Sequence, residues 1–161
     1  MRKMSIRVVT GYDGNGAPAI LSQGEPPTVI HAGRYTTTEL WVSDRAPITA
    51  TVSDASTRAW ALEPPPGGAC FRIVEIAPDK AGTLDSNGYS EFQGTHATST
   101  LDYVMILRGE VTLIVGDDAA GYTEVVLKAG DSVVQQPGVP HDWQNRSGER
   151  AVMIGVLLSA V

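Results

Sequence analysis

The chain has 161 residues, 42% of them hydrophobic and 19% charged, with one cysteine and a formal net charge of −6. That composition excludes a disordered chain and an internal disulfide framework, and it suits one domain over residues 1–161 with a core of its own. The 12 Lys and Arg form no cluster, so neither nucleic acid nor an anionic membrane surface is expected as a partner.

The N-terminus is charged and leads into no apolar signal core, and no segment reaches the ~20 apolar residues of a membrane span. With a single cysteine, this points to the cytoplasm. Residues 6–10 form the first expected strand, short and β-branched, and the glycine-rich stretch 11–16 turns the chain. Strands are expected next at 38–42 and 58–62. The run Pro64-Pro65-Pro66-Gly67-Gly68 then forces an irregular connection, because proline fixes φ and removes a ladder donor. The strand expected at 69–77 contains Cys70, which reads as a small buried hydrophobe. Residues 79–95 are polar and read as a long loop, with at most a turn of helix in 79–92.

After that loop the pattern is regular. Strands are expected at 101–107, 111–115, 123–127, 132–135 and 151–158, separated by Gly/Asp/Pro turns at Gly109, Gly116, Gly130 and Gly138. Short strands at intervals of roughly ten residues indicate an all-β sandwich or barrel. Residues 69–161 read as the barrel core and residues 1–68 as strands and loops that pack on it or extend it.

The region from His96 to Asn145 resembles the two signature motifs of the cupin family. The first motif runs His-x-His, three or four residues, Glu, six residues, Gly; here it reads His96, Thr98, Asp102 and, after six residues, Gly109. The second places Gly130, Gly138, His141 and Asn145 in register, with Gln136 in the proline slot and Pro137 just after it. The motifs cover about a third of the chain. Thr98 replaces the second histidine, and Asp102 replaces the longer glutamate. The string His-x-Thr-x-x-x-Asp-Tyr is similar to one in a set of small bacterial cupins. The resemblance implies a jelly-roll (double-stranded β-helix) barrel with additional N-terminal strands, a small-molecule ligand and a homodimer. It also implies a divalent metal, Fe, Zn or Mn, on His96, Asp102 and His141.

Two histidines and a carboxylate are the ligand set of a facial triad for Fe(II), and the same three could hold zinc with a water. His96 and Asp102 lie six residues apart, roughly 20 Å on a straight strand. One ion can serve both only if the chain bends sharply, and Thr98-Ser99-Thr100 is the place for the bend. Without metal, Asp102 and His141 form an acid/base pair suited to a dehydratase or cyclase, or they simply hold the barrel mouth of a binding protein. Thr98 and Trp143 are candidate pocket residues, Trp143 equally a core aromatic. Tyr103 should face outward, Asn145 should fix a turn, and His31 reads as a surface residue in a loop. Glu39, Trp41, Trp60 and Glu75 are further candidates for the cavity wall.

Overall fold

A computed structural model describes residues 6–48, 55–79 and 94–160. Its elements are β1 (Arg7–Tyr12), β2 (Pro18–Gly24), β3 (Thr28–Ala32), β4 (Tyr35–Ser43), β5 (Ala69–Ile76), β6 (Thr100–Arg108), β7 (Glu110–Asp117), β8 (Gly121–Lys128), β9 (Ser132–Gln135), β10 (His141–Gln144) and β11 (Ala151–Ser159), with one 3-10 turn at Ala55–Thr57. The loop expected over 79–95, and any helical turn in it, lies outside the described residues except at 79, 94 and 95.

The larger sheet runs β3-β4-β5-β11-β6-β9 and the smaller β10-β7-β8, while β1 and β2 form a separate hairpin. The strand pairs are antiparallel throughout, and together the two larger sheets make a jelly-roll barrel. Period-2 alternation builds it. Along β6, Thr100, Asp102, Val104 and Ile106 face inward, while Tyr103, Met105 and Leu107 face solvent, as a pleated strand requires. Ile76, Ile106, Val111 and Ala151 are fully enclosed and pack with Leu113, Leu127, Trp143 and Met153. Each large side chain so enclosed contributes roughly 1.5–3 kcal/mol. Gly109 joins β6 to β7 at φ 76°, and a Cβ there would press on the backbone of Arg150 and Ala151. Only glycine combines that turn with that approach.

The strands expected at 6–10, 38–42, 69–77, 101–107, 111–115, 123–127, 132–135 and 151–158 all form, with ends shifted by a few residues. The expected strand at 58–62 does not. Arg72 on β5 takes its carbonyl oxygens instead: Nη1 donates to Leu62 O at 2.7 Å and Nη2 to Ala61 O at 3.1 Å. With those acceptors engaged and Pro64 following, the segment becomes an irregular strap across the barrel. Three strands were not expected. β2 starts on Pro18, β3 is an edge strand, and β10 has only four residues after a proline corner. His31 therefore sits on β3 rather than in a loop, though its side chain is exposed.

Arg72 also pairs with Glu39 on β4, its direct cross-strand neighbour, through Nη2–Oε2 at 2.8 Å and Nε–Oε1 at 3.4 Å. Both side chains are buried. Burial pushes the Glu39 carboxyl up, against the pull of Arg72. A buried pair adds little over an apolar pair, but removing one partner strands the other charge. Arg72→Ala is expected to cost about 3–5 kcal/mol in urea unfolding. Adding Glu39→Leu should recover part of that loss; a double variant no more stable than the single one contradicts the assignment.

Candidate functional site

The five residues singled out from the motifs, His96, Thr98, Asp102, His141 and Trp143, line one cavity of about 110 Å³ between the two sheets. The chain bends where the sequence required. His96 pairs with His141, the first residue of β10 in the smaller sheet, and by Thr100 the chain has entered β6 of the larger one. Ser99 marks the bend; its N–H donates to Glu63 Oε1 at 3.1 Å, and its carbonyl accepts from Ala160 N at 2.9 Å.

Backbone bonds join the two motif segments. His96 N–H donates to His141 O at 2.9 Å, His141 N–H to His96 O at 2.8 Å, and Gly138 N–H to Thr98 O at 2.8 Å. The imidazoles end up with ring centroids 4.5 Å apart. His96 Nδ1 lies 3.2 Å from Gly94 O, and His141 Nδ1 lies 2.9 Å from Val139 O. A carbonyl oxygen only accepts, so both Nδ1 atoms carry the proton in the neutral rings and both Nε2 atoms keep a lone pair. Burial, helped by the adjacent His96, holds the His141 imidazole below its ordinary range.

Asp102 is 8% exposed, and its Oδ1 is buried with no hydrogen-bond partner. Burial pushes its carboxyl above the ordinary value; the Thr100 hydroxyl, Arg72 and His96 oppose that shift without cancelling it. Thr98 is buried and accepts from the Thr100 hydroxyl at 2.9 Å. Trp143 is both cavity wall and core aromatic, 6.3 Å from the His141 ring. Its carbonyl accepts from Tyr35 Oη at 2.9 Å and Arg34 Nη2 at 2.8 Å, which ties β10 to β4. Asn145 fixes the turn before β11: its amide donates to Ile76 O and Glu149 O, and its oxygen accepts from Ser147.

Of the further wall candidates, Trp60 lines this cavity and Glu39 lines a neighbouring cleft of about 250 Å³; Trp41 and Glu75 line neither. The larger cleft carries neither histidine. Cys70 lines it, and burial raises its thiol to about 11, so it is no nucleophile at neutral pH. Sequence reading passed over much of the wall, Arg72 and Gly155 included. Arg72 shares the inward parity of Cys70 and Ile76, and that parity was the available signal. Gly155, in the middle of β11, gave none.

Iron, zinc or manganese on His96, Asp102 and His141 can be tested against these positions. The two imidazoles fit, since a ligating histidine commonly donates its other nitrogen to a carbonyl. The carboxylate does not join them: among the described residues, no three of His, Cys, Asp and Glu gather closely enough to hold one ion.

Comparison with known proteins places the barrel. Residues 82–157 match the family model described as Cupin domain. That stretch, just under half of the chain, is similar to a cupin domain. Two proteins of Diaporthe leptostromiformis, phomopsin biosynthesis cluster proteins C' and D, are each 28% identical over 150 residues, 88% of this chain and 70% of theirs. Among solved structures, the Fe(II) form of HppE is 16% identical with a TM-score of 0.53, covering 81% of this chain and 55% of that one. Hydroxypropylphosphonic acid epoxidase from S. wedmorenis in complex with fosfomycin is also 16% identical, with a TM-score of 0.52 over 92% of this chain and 62% of that one. The 7S globulin of Momordica charantia reaches 0.52 at 12% identity, covering 83% of this chain and 32% of that one. The chain thus spans only about half to three-fifths of the first two of these solved chains, and the likeness is one of fold. Among the described residues, no helix is long and apolar enough to cross a membrane.

The buried carboxyl gives a stability test. A raised carboxyl stabilises the fold fully below its ordinary value of 3.8 and loses that contribution as pH rises through the raised value. Asp102→Asn keeps the shape without the charge. Its stability relative to wild type, read in chemical unfolding, should therefore climb as pH rises from the ordinary carboxyl value through the raised one. A flat difference across that range contradicts the burial argument.

Proposed function

We propose that this chain is a small-molecule enzyme that moves protons inside the barrel cavity. His141 and His96 act as the bases and Asp102, in its protonated form, as the acid. The observation that carries this reading is the anchoring of both Nδ1 atoms on backbone carbonyls, beside an unpartnered carboxyl in the same cavity. Surroundings that leave an imidazole lone pair open and raise a carboxyl above its ordinary value suit acid/base catalysis. In a dehydration, Nε2 takes a proton from substrate carbon. The C–O bond breaks, and the departing oxygen leaves as water with the Asp102 proton. A proton then passes from imidazolium back to carboxylate through solvent. Cyclisation needs the same pair. The biosynthesis-cluster names of the two relatives accord with a biosynthetic step, and the buried lone Cys70 accords with a cytoplasmic setting.

The same Nδ1 anchoring favours a second reading, a mononuclear iron, zinc or manganese centre held by the imidazoles of His96 and His141, without Asp102. Such an ion, when bound, would supply Lewis-acid or oxygen chemistry. Nitrogen-15 NMR of the three imidazoles tests both. Proton transfer requires the Nδ1–H tautomer in the neutral rings of His96 and His141, with His141 taking its proton only at a pH below its ordinary value. A ring in the Nε2–H form overturns the reading. Stoichiometric, tight uptake of Fe(II), Zn²⁺ or Mn²⁺ by protein prepared without chelator, lost in His141→Ala, replaces it with the metal centre.

We infer also that the chain works as a homodimer. On the outer face of the larger sheet, Phe71, Val156, Tyr103 and Val134 form one cross-strand row. Met105 and Leu107 continue the stripe along β6, both close to half exposed. A contiguous exposed apolar row suits a protein–protein contact, and a second copy of the same row would cover it. Light scattering should give a dimer that Tyr103→Glu/Met105→Glu converts to a folded monomer. A wild-type monomer at micromolar concentration overturns the inference.

A further inference from the structure

The histidine cavity and the neighbouring cleft lie over one sheet, and their boundary follows β5. At one level of the sheet the inward residues run Val42, Cys70, Leu157 and Asp102, from β4 across to β6. Val42 and Cys70 face the cleft of about 250 Å³, while Leu157 and Asp102 face the cavity of about 110 Å³. The next level runs Glu39, Arg72, Gly155 and Val104. Glu39 faces the cleft, and the other three face the cavity. The strands beneath are hydrogen-bonded neighbours throughout. The floor is therefore continuous, and side chains standing on it must divide the space.

Two side chains do so. Arg72 reaches from β5 to the strap, donating to Leu62 O at 2.7 Å and Ala61 O at 3.1 Å, and it pairs with Glu39 on the cleft side. Trp60 lies beside it on the strap, its ring centroid 5.6 Å from the guanidinium carbon, within cation–π range. Trp60 is the one residue common to the walls of both spaces. The two dividers differ in what their loss would do. Removing Arg72 strands a buried Glu39. Trp60 is half-buried on a segment outside the sheet ladders, so its side chain can be cut back without unpairing a strand.

We propose that Trp60 determines specificity: its indole closes the histidine cavity on the cleft side and limits the length of a ligand bound at the imidazoles. A cavity of about 150 Å³ takes benzene, so one of about 110 Å³ holds roughly four or five non-hydrogen atoms. A longer chain meets the indole. Without the indole it runs on into the cleft, where Val42, Ala59 and Pro65 offer apolar wall. The limit on substrate length rests on this cavity being the acid/base site; the limit on ligand length does not.

The test uses the full chain and the straight 1-alkanols from propanol to octanol, whose hydroxyl can donate to an imidazole lone pair. Binding is read by NMR from the methyl of Met153, which lines the cavity, and those of Val42, which line the cleft. In the wild type, affinity at Met153 should rise about fourfold per methylene as far as butanol and then level off. Any shift at Val42 should follow a separate binding curve. In Trp60→Ala the rise should continue to hexanol or beyond, with Met153 and Val42 moving together on one curve. If Trp60→Ala does not fold, Trp60→Phe decides, and its levelling point should move by one methylene. A levelling point unmoved by the substitution, a single curve for both residues in the wild type, or no alkanol bound at Met153 overturns the proposal. These readouts involve neither turnover nor imidazole tautomers, so the proton-transfer reading can fail while this one stands.

Discussion

The reciprocal backbone bonds between His96 and His141 are the seam on which the cavity depends. They join the segment leading into β6 to the first residue of β10, and so close the two sheets over one end of the barrel. Because main-chain groups make them, they fix the rings without using the rings. A slip of one residue in this pairing would turn both imidazoles to the opposite face. The Gly138 to Thr98 bond, two residues after His96 and three before His141, holds the register.

From that seam the barrel divides along its strands. The inward positions Ile76, Ile106, Val111 and Ala151 are apolar and closed. Toward the other end of the same strands the inward positions are Arg72, Glu39, Asp102 and Thr100, also buried. Alternation alone would fill those places with Val or Leu. Arg72 and Glu39 satisfy each other and two strap carbonyls, so their burial is offset locally. Asp102 is not satisfied in this way. A buried polar atom left open costs stability, and it sits among the groups best placed to meet a ligand.

The cavity draws its reactive side chains and its size from different parts of the chain. His96, Asp102 and His141 come from the motif region, whereas Trp60 and Leu62 come from an irregular strap that Arg72 holds in place. Changing the strap would reshape the cavity without moving the imidazoles. This separation is one physical reason why a single barrel fold can carry unrelated functions.

Strand rhythm and turn residues determined the barrel, because a period of two with Gly/Asp/Pro corners has few compact solutions. Motif spacing likewise brought His96, Thr98, Asp102, His141 and Trp143 to one place, and it required the bend that Ser99 makes. Other features needed the tertiary structure. Residues 58–62 have strand-forming side chains, but a guanidinium from β5 takes their carbonyls. β2, β3 and β10 are half of a hairpin, an edge strand and a four-residue piece, and their local pattern is too weak to register. Arg72 as a strut, Gly155 in the cavity wall and the unpartnered Oδ1 of Asp102 arise from what lies across a strand or a sheet. A linear sequence carries each residue's parity, but not the identity of the atoms it will face.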